Sequence, residues 1–250
     1  MSGTGPAEPV TTTTPRPLRA RLLRQRWVDL AMLHWEVPVA AVEPFLPPGV
    51  RPDTLDGRTY VGLIPFRMFD CAFGVGPSIA FFGSFLETNV RLYSVDARGR
   101  RGIVFRSLDA DRLAAVLGAR VALGLPYVWS RLRFDRAGDG ADAVLEYATR
   151  RRGGGPSSRL VLRPGARIER PTELDLWLTG RWGLHNWFAG STRYLTNEHE
   201  PWPLHRAEVV SLDDALVAAA GFPDVAARPP DSVLWSPGVR AAFGPPADRP

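Results

Sequence analysis

Residues 85–129, FLETNVRLYSVDARGRRGIVFRSLDADRLAAVLGARVALGLPYVW, decide how the chain folds. At the two-residue period of a strand, Glu87, Asn89, Arg91 and Tyr93 share one face, and Thr88, Val90, Leu92 and Ser94 share the other. Residues 96–100, with Gly99, read as a turn and residues 102–108 as a returning strand, so the segment predicts an antiparallel hairpin. On the return, Val104, Arg106 and Leu108 lie on one face, opposite Ile103, Phe105 and Ser107. A glutamate, an amide and arginines on adjacent strands make a set able to hold a small anion and move a proton. The same alternation also describes a solvated sheet face, whose cross-strand ion pairs are worth only about 0.2–1 kcal/mol each.

Working outward, Asp109 reads as the cap of a helix reaching residue 119, with Leu113, Val116 and Leu117 inward. Strands are expected over 127–134, 144–150 and 159–162, separated by Gly-rich turns. Thr172 caps a helix over 173–179, with Glu173 and Asp175 suited to its dipole. A hairpin over Ala189-Gly190 joins 184–188 to 192–197. The stiff loop that follows, His199-Glu200-Pro201-Trp202-Pro203, is built to wall a cavity. A helix at 212–220 and a strand at 232–235 complete the chain, and residues 245–250 are expected to fray.

Upstream, the apolar run 27–37 carries His34, read either as a hydrogen-bonded core histidine or as a proton shuttle, and leads into a short helix at 39–45. A strand over 58–69 carries Pro65, which belongs at an edge or a bulge. The Gly-rich segment 71–82 reads as a pocket-lining or connecting loop. Residues 1–24 are expected to form a disordered tail, and residues 25–245 a single domain.

Composition narrows the chemistry. With 24 Gly, 24 Pro and 45% hydrophobic residues in 250, a strand-rich fold with many turns and a sizeable core is expected. All 31 basic residues are arginine, so a lysine Schiff base, a lysine general base and a P-loop lysine are excluded. The net charge of +5 does not imply nucleic acid, because the arginine runs at 16–26 and 150–152 lack interleaved aromatics. Cys71 is alone and forms no internal disulfide. His199 and His205 are separated by two prolines, not a usual metal-ligand spacing, and neither metal nor cofactor is expected. No apolar run is long enough to span a bilayer and the start lacks a signal-peptide core, so a cytoplasmic protein without membrane partners is expected. Nucleophile-elbow, dinucleotide, P-loop and zincin motifs are absent. Carboxylate and arginine chemistry remains: Glu87 with Arg91, Arg106 or Arg181, if they converge.

The residues HWEVP, LPPGVRPDTLDG, NVRLYSVD, GIVFRSLDADRLAAVLGAR, LPYVW and HEPWPL, in this order, resemble the YqjF-like family of uncharacterised bacterial proteins over residues 26–243. That family is similar in fold to acetoacetate decarboxylase. The resemblance implies an α+β, strand-dominated architecture: a curved antiparallel sheet closing into a cone-like barrel around a cavity, with a few flanking helices. Acetoacetate decarboxylase works through a lysine Schiff base, which this sequence cannot form. Two readings stay open. One is an enzyme of lyase-like or isomerase-like chemistry on a small keto or enol acid, with Glu87 as acid/base and Arg91 or Arg106 as carboxylate clamp, and with Asn89, His34, Arg181, His199 and Trp202 as binding residues. The other is a non-catalytic barrel that binds a small ligand. A homo-oligomer is compatible with both, and a third class, an interaction protein using the arginine-rich start, also stays open.

Overall fold

The computed structural model describes residues 5–78 and 83–247. Its first half holds β1 (Leu23–Val37), α1 (Val39–Val42), β2 (Val50–Pro52), β3 (Thr59–Phe73), β4 (Phe85–Asp96), β5 (Arg101–Ala110), α2 (Leu113–Leu123) and β6 (Tyr127–Ala137). There follow β7 (Val144–Arg151), β8 (Ser157–Arg167), α3 (Glu173–Thr179), β9 (Gly183–Phe188), β10 (Ser191–His199), β11 (His205–Asp214), α4 (Leu216–Ala219) and β12 (Ser232–Ala247).

All twelve strands belong to one sheet, ordered β10-β9-β5-β6-β7-β8-β11-β12-β1-β3-β4-β2. The hairpin pairing of β4 with β5 closes a ring of hydrogen bonds over nine strands. A second closure runs from β5 through β9 and β10 back to β12. Strands β1, β3 and β4 form a wall common to both circuits, and each of its faces is buried. On one side Met32, Tyr60, Ile64 and Tyr93 join Leu184 and Leu195 of the second circuit, with Val116 of α2 and Trp177 of α3 packed among them. On the other, Leu33, Val61, Val90 and Leu92 meet Leu145, Leu160 and Leu162 of β7 and β8 and Leu216 of α4.

This double burial decides between the two readings of the central hairpin. The polar face of β4 is not solvated: Glu87, Asn89 and Tyr93 are 3%, 5% and 0% exposed.

Several local expectations are corrected. A register shift between Val90 and Arg91 sends Phe105, Leu108 and Ala110 inward. Arg106 falls in that shift and leaves the face of Leu108. Asp109 does not cap α2; it is the buried end of β5, accepting from Ser130 and from both forks of Arg151. Pro65 lies inside β3, where the β1–β3 register slips and no ladder donor is required of it. The expected helix at 212–220 shrinks to one turn, because β11 runs on to Asp214, whose carboxylate accepts from Val217 N. Residues 205–211, left unassigned from sequence, form most of β11.

Strand β12 passes straight through Pro237, and Asp29 and Gly238 beside it are both at positive φ, while the β1–β12 register is the same on either side. It includes residues 245–247, and residues 248–250 lie outside the described residues. So do residues 79–82 of the Gly-rich loop, whose first residues instead extend β3. Thr172 does cap α3, in a reciprocal capping box with Asp175.

The segment read as a disordered tail has no helix or strand between residues 5 and 22, yet it lies along the body. Glu8 accepts from Arg101 N and bonds Arg16, Thr11 Oγ1 accepts from Trp182 Nε1, and Val10 packs on the interior cluster.

A Cβ at Gly238 would lie 2.0 Å from Trp27 O, at φ +130°. Gly238→Ala is therefore expected to cost at least about 3 kcal/mol in urea unfolding, against a few tenths at open, exposed glycines of ordinary φ.

Candidate functional site

The inward face of β4 presents Glu87, Asn89, Arg91 and Tyr93 in order, and the fold gives each a different environment. Near the α2 end, β6 begins immediately after Pro126 and runs parallel to β5, pairing Tyr127 with Leu108. The Tyr127 hydroxyl thereby donates to Glu87 Oε2 at 2.7 Å, while Asn89 Nδ2 makes a longer contact of 3.4 Å to Oε1. The surroundings are apolar, with Phe85, Cys71, Leu108 and Ala110 in the same buried cluster. Burial dominates the Glu87 carboxyl and pushes it up to about 7, against the opposing pull of the Tyr127 and Asn89 bonds. Burial also holds the Tyr127 phenol well above its ordinary range and the Cys71 thiol up to about 12, so neither ionises near neutrality. Glu87 alone is poised to exchange a proton.

At the other end of the face, β1 brings His34 and α3 brings its last turn. The Tyr93 hydroxyl lies 2.7 Å from His34 Nε2, accepts from Arg91 Nε at 3.3 Å and donates to Leu178 O at 3.1 Å. Arg91 also donates to Leu178 O at 3.2 Å. Its guanidinium has no ion pair with a carboxylate among the described residues. His34 is held neutral, first by burial and then by the charges of Arg91 and Arg181. Two buried acceptors, His34 Nδ1 and Asn89 Oδ1, have no hydrogen-bond partner among the described residues. Unmet buried polar atoms are uncommon in a finished core and call for an explanation such as a bound water or ion or a catalytic role. Gly62 makes room here, since a Cβ on it would lie 3.0 Å from the His34 ring.

The remaining sequence-derived candidates divide. His199 borders this region: burial, with a smaller push from the Arg91 charge, lowers its pKa to about 4. It packs against Trp182 and against Trp202, which is itself stacked on Trp27. Trp202 Nε1 donates to Thr179 O. Arg181 is buried but committed, bonded to Asp53 and to Trp177 O with its guanidinium over the Trp177 and Tyr93 rings. It supports Tyr93 and is not a spare cation.

Arg106 is not brought to Glu87. Its guanidinium stacks 3.8 Å from the Phe45 centroid and donates to Ala220 O, on the far side of the wall. Sequence reasoning missed Tyr127 as the partner of Glu87 and Tyr93 as the hub joining His34 to Arg91. Tyr93 already stood on the polar face by period. Tyr127 carried no signal, because its role depends on a parallel pairing between strands separated by α2.

A profile of the DUF2071 family, described as an uncharacterized conserved protein, matches residues 24–240. The chain belongs to this family. It is 32% identical over 201 residues to the uncharacterized protein YqjF of Bacillus subtilis (strain 168), covering 80% of this chain and 82% of that one. Among solved structures, it is similar to an acetoacetate decarboxylase-like enzyme from Sphingomonas wittichii RW1, at TM-score 0.63 and 15% identity over 95% of this chain and 97% of the other. It is also similar to the enduracididine biosynthesis enzyme MppR complexed with the condensation product of pyruvate and imidazole 4-carboxaldehyde, at TM-score 0.62 and 15% identity over 97% of each chain. The acetoacetate decarboxylase-like fold is thereby established. Among the described residues, no helix is long and apolar enough to cross a membrane.

The Glu87 carboxyl makes a signed prediction. Its proton is held more tightly in the folded chain than in the unfolded one, so stability falls as pH rises from about 4.5 to about 7. The loss is on the order of 3 kcal/mol. Neutral, buried His34 and half-buried His199 act in the opposite sense, gaining stability as pH rises toward 6.5. Subtracting the pH–stability curve of Glu87→Gln from that of the wild type isolates the Glu87 contribution. A flat difference curve between pH 4.5 and 8 would contradict it.

Proposed function

We propose that the chain binds a keto or enol carboxylic acid inside the cone, Arg91 holding the carboxylate and Glu87 exchanging a proton at carbon. The observation that carries this reading is the placement, on one buried strand face, of an arginine without an acidic partner and a carboxyl poised near neutrality. Arg91 is tethered only to neutral groups, at 3.2 and 3.3 Å. A carboxylate offers its fork shorter and stronger bonds and displaces them. Tyr93 stands beside it, and its hydroxyl can turn its proton from Leu178 O to the anion.

Glu87 and Arg91 are four residues apart on a strand, roughly 13 Å between backbone positions. A ligand that joins them passes over Asn89, whose Oδ1 is buried and has no hydrogen-bond partner among the described residues. An acid of several carbons fits this span better than the shortest keto acids. At the carbon next to a ketone, Glu87 in its carboxylate form takes a proton to leave an enolate and then returns it. With no lysine in the chain, the reaction passes through no Schiff base with a lysine side chain. The pyruvate-derived ligand named for MppR supports the choice of acid class by analogy of fold.

The test uses pyruvate and a series of longer 2-oxo acids. A ligand at 100 times its Kd is expected to stabilise the wild type by about 2.7 kcal/mol in thermal denaturation. Arg91→Ala is expected to fold and lose that increment. Deuterium exchange at the carbon next to the ketone, followed by NMR, is expected to slow on the order of 10²–10⁴-fold in Glu87→Gln with binding retained. Binding that depends on Arg91 without any exchange in the wild type would instead identify a ligand-binding barrel. No stabilisation by any acid in the series would reject the anion site itself.

A further inference from the structure

A second concentration of positive charge lies outside the cone, and nothing in the reading above uses it. Strands β1 and β12 pair in unbroken register from Leu23↔Phe243 to Val28↔Gly238. Within that ladder Arg26 stands directly opposite Arg240, and Arg24 opposite Ala242. Directly opposed residues of an antiparallel pair point to the same side, as do residues two apart on one strand. Arg24, Arg26 and Arg240 therefore share a face. The neighbouring Trp27 and Phe243 go the other way, into the interior cluster. The three arginines line a cleft of about 480 Å³ whose rim includes Thr13, Thr14 and Asp70.

Like charges directly across a ladder are destabilising, and the arginines of the cleft, Arg21, Arg24, Arg26 and Arg240, outnumber its carboxylates, Asp70, Glu198 and Glu200, by one. Asp70 accepts from Arg26 Nε at 2.8 Å. Glu198 is occupied by Arg21 Nε and by the backbone N–H of Leu18. Glu200 reaches only the backbone N–H of Arg240, at 3.3 Å. The Arg24 guanidinium is fixed by two neutral carbonyls, Gly74 O and Gly76 O, each at 2.7 Å. Neither Arg24 nor Arg240 forms an ion pair with a carboxylate among the described residues. The fold thus holds Arg24 in place while leaving its charge, and that of Arg240, uncompensated.

We propose that this cleft is a phosphoryl-binding site, in which Arg24, Arg26 and Arg240 converge on one dianionic group. A phosphoryl group offers the density of charge and the oxygen acceptors that several guanidinium forks require. The cleft is larger than a phosphate ion, so a phosphate monoester fits as well as the free ion. His199, which borders the Arg91 region, also lines the cleft, but Glu87 and Arg91 do not.

Thermal denaturation of the full chain in sodium phosphate and in sodium chloride, at matched pH and ionic strength, tests this. In the wild type, phosphate is expected to raise Tm above the chloride value, by roughly 3–5 °C for each tenfold of phosphate beyond its Kd. Arg240→Ala is expected to lose this phosphate-specific increment. It is also expected to match or exceed the wild-type Tm in chloride, because the opposed charges are gone. Calorimetric titration of phosphate into Arg24→Gln provides a second arm, with affinity expected to fall at least about tenfold.

Methyl phosphate distinguishes the source. Binding as tight as that of phosphate assigns the site to a phosphate ester, and exclusion of the ester assigns it to the free ion. Equal Tm in the two salts for the wild type would overturn the proposal by reducing the effect to screening. So would wild-type affinity in both variants.

Discussion

The structure depends on one constraint: the middle of the wall made by β1, β3 and β4, over residues 30–35, 59–66 and 87–96, is buried on both faces. A strand in that position normally satisfies the constraint with apolar residues throughout. Here β4 does so on one side only, with Val90 and Leu92 in the core against β7 and β8. Its other side carries a carboxyl, an amide, a guanidinium and a phenol into an equally dry interior. Each such group is costly to bury unless hydrogen-bonded or neutralised. The tyrosines answer that demand, Tyr127 for Glu87 and Tyr93 for His34 and Arg91.

The two ends of this face are balanced differently, and the difference is what gives them chemistry. At the Glu87 end no cation compensates the carboxyl, so burial shifts its proton affinity toward neutrality. At the Arg91 end no anion among the described residues compensates the guanidinium, whereas Arg181 close by is ion-paired with Asp53. Asp53 also takes Arg101, whose Nε bonds the backbone of Glu8. The buried aspartates of the scaffold, Asp29, Asp53, Asp96, Asp109 and Asp175, are each paired with an arginine, whereas Glu87 and Arg91 on the inward face of β4 are not paired with an opposite charge among the described residues. The segment from residue 5 to residue 22 belongs to the scaffold side of that division.

Much of the site was legible from period alone. Alternation placed Glu87, Asn89, Arg91 and Tyr93 on one face, and the resemblance carried by six ordered motifs gave the acetoacetate decarboxylase-like fold. The same alternation failed on β5, because one bulge opposite Arg91 turned Arg106 away to Phe45 and Ala220. A bulge has no fixed sequence signature, and it reverses every facing beyond it. Asp109 failed as a cap for a related reason: Ser130 and Arg151 arrive from β6 and β7 and outbid the helix N-terminus. The strand expected at 232–235 runs on through Pro237 to Ala247, past the positive-φ positions Asp29 and Gly238.

The sequence by itself determined the strand-rich class, the exclusion of lysine chemistry and the identity of the polar face on β4, since these follow from composition and local period. Tertiary structure alone decided that this face looks inward, that Tyr127 holds Glu87, that His34 meets Arg91 through Tyr93, and that Arg26 opposes Arg240. Each of these is a pairing between strands distant in the chain. Register across such pairs is set by the closing of the whole sheet, which no local stretch of residues encodes.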